Sequence, residues 1–342
     1  MSVGPARWWT YQRERFPIFA HGPLVAAFSF SGVCYSLLLR GQPGPPSGRA
    51  VVTAFLTALL FFLQLRIVDE FKDFEEDSRF RPYRAVPRGL VRLRELGAAA
   101  AIAAAIQAAL AAWLQPAMLL LLLPVWLYLA LMGREFFARK WLKSHPFTYM
   151  WTHMAIISLI DFYVTNCDWR AASARPPDGL IWFLLVSFFN GIVLEIGRKL
   201  RAPQDEEPGV ETYTVLWGLR GATGAWLCAL ALTAAFACLA AARIHFLAPA
   251  GWLLAGLLAL SGVLDARFLH QPVTKRARAI EAFSAAWTLV MYLSLGAAPW
   301  ALKRLPRISG LPAPQREWRR TLKLTSREST DDIHSLARWH RT

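Results

Sequence analysis

The residues best suited to chemistry are three aspartates that recur every four positions, Asp69, Asp73 and Asp77. On a helix this spacing places successive carboxylates one turn apart, on the order of 6 Å. Carboxylate oxygens in that arrangement suit a Mg²⁺ ion that bridges to the phosphates of a substrate. A solvated helix whose acids are neutralised by nearby Lys and Arg side chains is the alternative. The stripe continues directly from an apolar stretch, which favours the functional interpretation.

A second charged stretch, residues 190–214, also begins at the end of an apolar segment. Asn190 and Glu195 are costly beside hydrocarbon, so their presence there favours a functional role. A plainer explanation is equally open for Glu195, because it lies four residues before Lys199 and the two can pair on a helix surface. The acids at 205–207 fit either a ligand loop or a simple turn.

The composition indicates the elements that must position these loops. Of the 342 residues, 55% are hydrophobic and 18% are charged, and the mean hydropathy is +0.32. These values exclude disorder and argue against an ordinary soluble globule. The four cysteines show no CxxC spacing, so neither a zinc site nor a disulfide framework is indicated.

Several apolar stretches are long enough to cross a bilayer, which takes about 20 residues. Hydropathy predicts an all-α integral membrane protein with about nine transmembrane helices. The predicted spans are 17–39, 50–68, 96–115, 116–133, 146–166, 179–197, 221–242, 247–266 and 279–301. We expect one transmembrane domain over 1–302 and a flexible basic tail over 303–342.

The distribution of positive charge predicts the orientation of the chain. The net charge is +15, and the loops on the side of the N-terminus carry 23 Lys and Arg against 5 in the opposite loops. Because positive loops resist translocation, the N-terminus and both Asp-containing loops are expected on the cytoplasmic side, in a bacterial inner membrane. The tail, with ten Lys and Arg, would then lie outside if the count is odd, so its side stays open. Since the basic residues are interleaved with acids and tied to spans, no nucleic-acid partner is expected.

The first charged loop resembles the first motif of the UbiA superfamily of intramembrane prenyltransferases. That motif has Asn or Asp, then Asp at +4 and +8, followed by an Arg-Pro-x-Arg-Pro-x-x-x-Gly stretch. The matching residues are Asp69, Asp73, Asp77, Arg81, Pro82, Arg84, Pro87 and Gly89. The departures are mild: Asp69 stands where Asn is usual, and Ala85 stands where Pro is frequent. The resemblance implies a ring of helices around a central cavity that opens laterally.

The second charged loop is similar to the family's second motif at Asp205, Gly209 and Thr212, but Arg201 occupies its first acidic position. Between the two motifs, residues 137–146 look like the family's aromatic-basic-basic segment with an insertion. The resemblance covers about 1–300. One metal is therefore lost or relocated in the implied site, and Glu206 or Glu207 could replace the missing ligand.

The resemblance implies a site for Mg²⁺ and a prenyl diphosphate. The implied metal ligands are Asp69, Asp73, Asp77 and Asp205. The implied diphosphate-binding residues are Lys72, Arg81, Arg84, Arg139, Lys140, Arg198 and Arg201. The catalytic residues would be Asp73, Asp77 and Asp205, with His153 taking a proton from the acceptor. We expect Arg201 to grip a phosphate in place of a metal, although it could also face lipid headgroups.

The activity that the resemblance implies is Mg²⁺-dependent transfer of a prenyl group from a prenyl diphosphate, within the bilayer, to an acceptor. The sequence does not identify the acceptor, but an aromatic ring is the family's commonest choice and another small or lipid acceptor is the alternative. Two alternatives remain open at this point. A cyclase of the same fold would quench the allylic cation internally and would need no acceptor site. The altered second motif, with Arg201 at its first acidic position, is compatible with this alternative. A transporter or lipid-binding protein would instead use its intramembrane charges to line a pathway, but the ionisable residues concentrate at one membrane edge.

Overall fold

The computed structural model describes residue 4 and residues 6–304, apart from 43, 173 and 174. The described residues form thirteen α-helices and no strand. The helices are α1 Ala6–Arg15, α2 Ile18–Leu39, α3 Gly48–Lys72, α4 Phe74–Phe80, α5 Leu93–Leu114, α6 Met118–Gly133, α7 Arg139–Lys143, α8 Pro146–Trp169, α9 Leu180–Arg198, α10 Tyr213–Arg243, α11 Leu247–His270, α12 Thr274–Leu295 and α13 Ala297–Leu302. The predicted tail lies outside these residues, except for Lys303 and Arg304.

Seven segments of the described chain are long and apolar enough to cross a membrane, so the protein is an all-α, multi-pass membrane protein. Six of them are α2, α3, α5, α9, α10 and α11, and the seventh is Thr274–Leu302. The predicted count of nine is therefore approximate. The predicted span 116–133 corresponds to α6, which has only 16 residues. The predicted span 146–166 lies in α8, which has 24 residues but carries several polar side chains.

The long helices form a closed ring in which each packs on its neighbours in the chain. The order runs from α2 through α3, α5, α6, α8, α9, α10 and α11 to α12, which packs back on α2. Helix α8 also contacts α2 and α3, and α12 also contacts α9. The ring therefore brings the ends of α3, α8 and α9 close to one another, and these ends carry the charged loops.

Helix α10 begins earlier than predicted. Hydropathy placed the start of this span at 221, whereas the helix runs from Tyr213 and is interrupted at Gly218, whose φ is +70°. Thr212 caps its first turn by accepting a hydrogen bond from the backbone N–H of Val215 at 3.2 Å. The second charged loop is therefore shorter than predicted. Hydropathy marks only the apolar part of the helix, so it misses the polar first turn.

Helix α1 fixes the N-terminal segment to the first charged loop. Arg7 pairs with Glu95 at 2.6 Å, and Glu14 pairs with Arg88 at 2.8 Å. These contacts place α1 and the loop on the same side of the bundle, in agreement with the charge distribution. That this side is cytoplasmic stays a prediction.

Polar contacts between helices lie inside the bundle. Asp161, which is fully buried on α8, accepts a hydrogen bond from Ser187 of α9, and Trp287 of α12 donates to Asn190 at 3.1 Å. A Cβ atom at Gly197 would collide with Ser284, so a small residue lets α9 approach α12 closely. These contacts fix the position of α9 and thereby of its C-terminal end, which carries the charged residues. Asp161 therefore takes part in the packing of α8 on α9.

The opposite end of the bundle has one ion pair of its own, between Arg40 and Asp168. Two guanidinium nitrogens of Arg40 donate to the two oxygens of Asp168 at 2.8 and 3.0 Å. Ser36 donates to the same carboxylate at 2.7 Å. One carboxylate here meets one cation, and the pair joins the ends of α2 and α8.

Candidate active site

The three aspartates of the first loop follow one helical path. Helix α3 ends at Lys72 and α4 begins at Phe74, but the backbone N–H of Asp73 donates to the Asp69 carbonyl at 2.9 Å. The N–H of Asp77 likewise donates to the Asp73 carbonyl at 2.8 Å. The distortion at Asp73 is therefore local, and the three residues occupy successive turns as their spacing predicts.

Asp77 lies at the centre of a group of arginines. Its side chain is 2% exposed, and its oxygens pair with Arg84 at 2.7 Å, Arg81 at 2.9 Å and Arg15 at 3.8 Å. Arg15 comes from α1 and was not predicted as a site residue. Arg81 and Arg84 were predicted to bind a diphosphate, and the structure brings them together on one carboxylate.

Glu70 is a second buried carboxylate beside Asp77. It is 1% exposed and pairs with Arg15 at 2.5 Å and with Arg66 at 3.1 Å. We call these six residues the arginine cluster: Arg15, Arg66, Arg81, Arg84, Glu70 and Asp77. The six side chains have a formal net charge of +2, and one of the four guanidiniums, that of Arg66, is also shared with Asp69 at 3.8 Å. Such a centre attracts an anion.

Asp73 differs from its two neighbours because its carboxylate has neither a hydrogen bond nor an ion pair among the described residues, whereas Asp69 and Asp77 each lie within 4 Å of cations. Burial, together with the carboxylates of Asp69 and Asp77, raises the pKa of Asp73 to about 6. A negative charge at this position is thus poorly compensated by the protein. A bound cation would stabilise it.

Lys72 is enclosed by a network that reaches from the first loop into α8. Its ammonium donates to the Tyr149 hydroxyl at 2.7 Å and lies 3.5 Å from Asp69 and 3.7 Å from Glu135. The Tyr149 hydroxyl in turn donates to Glu135 at 3.2 Å. With 8% of its side chain exposed, Lys72 is engaged with protein groups and less open to a diphosphate than the sequence suggested.

His153 faces Glu135 within this network. Its Nδ1 lies 2.8 Å from the Tyr149 carbonyl, which only accepts, so Nδ1 carries a hydrogen. Its Nε2 lies 3.3 Å from a Glu135 oxygen, and its ring stacks on the ring of Tyr149 with centroids 3.9 Å apart. The contact between Nε2 and Glu135 is an ion-pair distance and not a hydrogen bond. That His153 takes a proton from the acceptor stays a prediction.

Glu135 is held in an unusual backbone segment. Glu135, Phe136 and Phe137 have φ values of 50°, 51° and 59°, in the left-handed region that non-glycine residues rarely adopt. Burial alone would raise the pKa of Glu135, but its contacts with His153, Lys72 and Tyr149 outweigh burial and lower it. The side chain is therefore an anion, 3% exposed as a residue, at a strained turn.

The second charged loop lies against the first. Gly209 has φ +74°, and a Cβ atom there would lie 2.6 Å from the ring of Phe80 in α4. Tyr83 donates to Glu207 at 3.4 Å across the same contact. Only glycine satisfies both the backbone conformation and the close approach, which explains the glycine that the second motif requires.

The acids of the second loop are bound to hydroxyl groups. Asp205 accepts a hydrogen bond from Thr274 at 2.9 Å, and Glu206 accepts from Thr212 at 2.8 Å and from Thr214 at 2.5 Å. In the described part of the chain, no three His, Cys, Asp or Glu side chains are grouped so that they could hold a metal ion. The four aspartates predicted as ligands are thus not assembled into one cluster.

The remaining predicted diphosphate-binding residues are distributed along the same edge. Arg198 pairs with Glu195 at 2.5 Å and is close enough to Asp69 for their charges to interact. Arg139 pairs weakly with Glu76 at 3.6 Å, whereas Lys140 is exposed. Arg201 is exposed. Its backbone N–H donates to the Thr214 hydroxyl at 3.3 Å, and its side chain makes no hydrogen bond among the described residues.

Glu195 forms the surface pair that its spacing suggested. Lys199, four residues later, contacts it at 2.9 Å, in addition to Arg198. Each of the two carboxylate oxygens of Glu195 therefore meets a cation. The plain explanation therefore accounts for this residue.

Five residues of this edge escaped the sequence reasoning: Arg15, Arg66, Glu70, Glu135 and Tyr149. Glu70 and Tyr149 sit inside apolar stretches or at their ends, where a single polar residue gives little periodic signal. Arg15 and Glu135 act across long sequence separations, 55 positions for Arg15 with Glu70. The only sequence signal was the density of charge near span ends.

Comparison with known proteins gives one family and several similar folds. The profile described as UbiA prenyltransferase family matches residues 27–294. None of the curated proteins compared with the chain matches it. The chain resembles the apo structure of a UbiA homologue from Aeropyrum pernix, with 16% identity and a TM-score of 0.62, over 80% of this chain and 96% of that one.

Two further solved structures have the same fold. A digeranylgeranylglyceryl phosphate synthase gives a TM-score of 0.56 at 16% identity, covering 86% of this chain and 99% of that one. A UbiA homologue from Archaeoglobus fulgidus, bound to DMAPP and Mg²⁺, gives 0.51 at 15% identity, covering 82% and 98%. At these identities the likeness concerns the fold.

Proposed function

Because the chain belongs to the UbiA prenyltransferase family, we propose that it transfers a prenyl group from a prenyl diphosphate to a membrane-accessible acceptor in a Mg²⁺-dependent reaction. The observation that carries this proposal is that the Asp73 carboxylate, which has no hydrogen bond or ion pair among the described residues, and the positively charged arginine cluster lie at the same end of the bundle. A diphosphate carried by Mg²⁺ needs both. The Archaeoglobus homologue, which binds DMAPP and Mg²⁺, supports the same assignment.

The residues present fit a magnesium ion at the first loop. Asp73 offers a carboxylate with no hydrogen-bonding partner, and Asp69 lies one helical turn earlier with its side chain 31% exposed. Hard oxygen ligands of this kind are what Mg²⁺ prefers. We propose Asp73 and Asp69 as its ligands. The bound ion would neutralise charge that develops on the leaving diphosphate. Asp205 as a further ligand stays a prediction.

The leaving diphosphate also needs cations from the protein. We propose that Arg81 and Arg84 donate hydrogen bonds to it, because Asp77 holds their guanidiniums together beside Asp73. Arg198 supports the same charge from the end of α9, near Asp69. Fixed donors of this kind stabilise the charge that develops as the carbon–oxygen bond breaks. Arg139, Lys140 and Arg201, which are exposed, remain candidates for outer contacts with the diphosphate.

The acceptor must lose a proton when it attacks the allylic carbon. Tyr149 is partly exposed, while Glu135 and His153 are buried behind it. Its hydroxyl donates to Glu135 and accepts from Lys72, which leaves one lone pair for a proton from the acceptor. We propose that the acceptor proton passes to the Tyr149 oxygen while the Tyr149 proton passes to Glu135. His153 then acts by keeping Glu135 charged and oriented.

The direct test uses the purified protein in lipid nanodiscs with Mg²⁺ and a panel of prenyl diphosphates. Release of diphosphate and the identity of the prenyl product are measured with and without phenolic and phospholipid acceptors. We expect Mg²⁺-dependent release that one acceptor class accelerates, with formation of the prenylated acceptor. A cyclic hydrocarbon formed without acceptor would identify a cyclase instead. Absence of both release and substrate binding across the panel would contradict enzymatic function.

A further inference from the structure

We propose that α1 is an interfacial helix whose outward face binds anionic phospholipid at the bilayer surface, while its inward face braces the first charged loop. The partner is the layer of phosphate-bearing headgroups in the leaflet on the side of the N-terminus. Helix α1 lies before residues 27–294, the part of the chain that the family profile matches. A lipid site of this kind is additional to the proposed prenyl transfer.

Helix α1 has one face turned towards the protein and one turned away from it. Tyr11 is buried in an apolar cluster with Val86 and Val91 of the first charged loop. On the other side Trp9 is 54% exposed, and Arg13 is exposed as well. Positions 9 and 13 share a helical face because they are four residues apart. The outward face therefore offers one aromatic ring and one cation.

The neighbours of α1 place this face at the surface of the bilayer. Helix α2, which is long and apolar enough to cross the membrane, begins at Ile18, three residues after α1 ends at Arg15. Arg7 pairs with Glu95 in the first turn of α5, a second helix that is long and apolar enough to cross. Both helices start beside α1, so α1 lies at the level where they enter the membrane.

The corner between α1 and α2 presents apolar side chains that suit the boundary between headgroups and hydrocarbon. Phe19 is 78% exposed and Ile18 is exposed. The Phe19 ring meets the ring of Trp9 edge-on, with centroids 6.2 Å apart, so the two helices share one aromatic patch. Aromatic and aliphatic side chains beside basic residues are typical of helices that lie in the plane of the membrane surface. Insertion of this patch among the lipids removes its apolar surface from water.

The charge around this face favours anionic lipid over neutral lipid. Arg13, and Arg94 in the first turn of α5, are exposed and form no ion pair among the described residues. The nearby acids Glu14 and Glu95 are already engaged, because each forms an ion pair with another arginine. An arginine near an anionic membrane surface strengthens binding about fivefold, whereas a zwitterionic surface gives no such gain.

Amide hydrogen exchange measures the lipid contact without turnover. The full-length protein is placed in nanodiscs of phosphatidylcholine alone or of phosphatidylcholine mixed with phosphatidylglycerol, and exchange is followed by mass spectrometry in peptides that cover 6–15 and 85–96. We expect phosphatidylglycerol to slow the exchange of α1 at least about fivefold, because lipid bound to the docked helix lowers the population of its open form. Exchange in 85–96 should also slow, because this segment packs on α1.

Variants of the outward face separate charge from apolar insertion. We expect Arg13→Gln to reduce the effect of phosphatidylglycerol about fivefold and Arg13→Lys to keep it, since the headgroups attract the charge. Trp9→Ser should speed the exchange of α1 in both kinds of nanodisc, whereas Trp9→Phe should behave like the unmodified protein. The matched control is Arg170→Gln, which removes an exposed arginine at the opposite end of the bundle. In detergent without phospholipid, Arg13→Gln should exchange like the unmodified protein.

Equal exchange of α1 in the two kinds of nanodisc would overturn the lipid site, as would equal effects of Arg13→Gln and Arg170→Gln. Faster exchange of Arg13→Gln in detergent would also overturn it, because the side chain would then act on folding and not on lipid. None of these results bears on prenyl transfer. Absence of diphosphate release and substrate binding in every nanodisc, with the lipid dependence of α1 intact, would contradict the proposed function alone.

Discussion

Two buried aspartates at opposite ends of the bundle have very different surroundings. Asp168 meets one arginine, Arg40, through two hydrogen bonds, together with the hydroxyl of Ser36. Asp77 meets three arginines at the other end. In the first case the charges balance and the pair fastens two helices. In the second they do not, and the surplus of positive charge is available to a ligand. Burial of a carboxylate therefore does not by itself indicate a site, but the balance of charge around it does.

The largest effect is expected at Asp73, which lies one helical turn before Asp77 and its arginines. Asp73→Ala removes the uncompensated carboxylate, and we expect diphosphate release from geranyl diphosphate to fall at least about a thousandfold, because the cation that offsets the leaving charge is lost. The thermal midpoint should stay within a few degrees. The control is Glu75→Ala, which removes an exposed acid of the same loop. Near-normal release by Asp73→Ala at limiting Mg²⁺ would contradict the assignment.

The balanced centre should respond in the opposite way. Asp168→Ala leaves Arg40 unpaired, and we expect a loss of about 3 kcal/mol in stability, because a cation remains without its partner at a site of low exposure. Turnover per folded molecule should not change. Thermal unfolding in detergent and an activity assay on the soluble fraction measure the two quantities.

A double variant checks the cause of that loss. Arg40→Met combined with Asp168→Ala removes both charges, so it should recover most of the stability. A fall in the turnover of the folded fraction of Asp168→Ala would contradict this contrast. The two ends of the bundle would then not differ in the way that their charge balance suggests.

The contact between the two loops should show an intermediate effect. Gly209→Ala places a methyl group against Phe80 in a left-handed backbone, and we expect a cost of about 1–3 kcal/mol, seen as a lower kcat/KM. Phe80→Ala in the same chain should remove the collision but not the backbone strain, and so restore part of the activity. Unchanged kinetics in Gly209→Ala would show that the second loop does not depend on this approach.

The smallest effect is expected at Asp161, a buried carboxylate that no cation accompanies in the described contacts. Asp161→Asn keeps the shape of the side chain and can still accept the hydrogen bond from Ser187. The free energy of unfolding and the activation free energy of turnover should therefore each change by less than about 1 kcal/mol. Asp161→Leu should be more harmful, because Gly32 approaches this side chain closely. A large loss of turnover in Asp161→Asn would place a functional group in the middle of the bundle.

The sequence predicted the helical membrane fold well because apolar length and charge asymmetry record where a chain crosses a bilayer. It also predicted the span 146–166, which lies within α8, although His153 and Asp161 lower the hydropathy of that helix. It failed at the start of α10, where a cap residue and a polar first turn precede the apolar pattern.

The site was predictable only in part. The spacing of Asp69, Asp73 and Asp77 predicted the place of the proposed site, since the three residues occupy successive helical turns across the junction of α3 and α4. It did not distinguish their environments, because these depend on partners distant in the sequence, such as Arg15 for Asp77. The Glu135 network likewise arises from a turn and a helix whose contact no local pattern encodes.

The ion pairs of α1 also imply an order of events during synthesis. Glu70 emerges from the ribosome 55 residues after Arg15, and Glu95 emerges 88 residues after Arg7. Until then Arg7 and Arg15 lack the carboxylates that they meet in the folded protein, and positive charge in a segment opposes its transfer across the bilayer. In the predicted orientation the same side chains would first favour retention of the N-terminus on its own side and later contribute to the proposed site. A variant that loses Arg15 should therefore be assayed for membrane insertion as well as for ligand affinity.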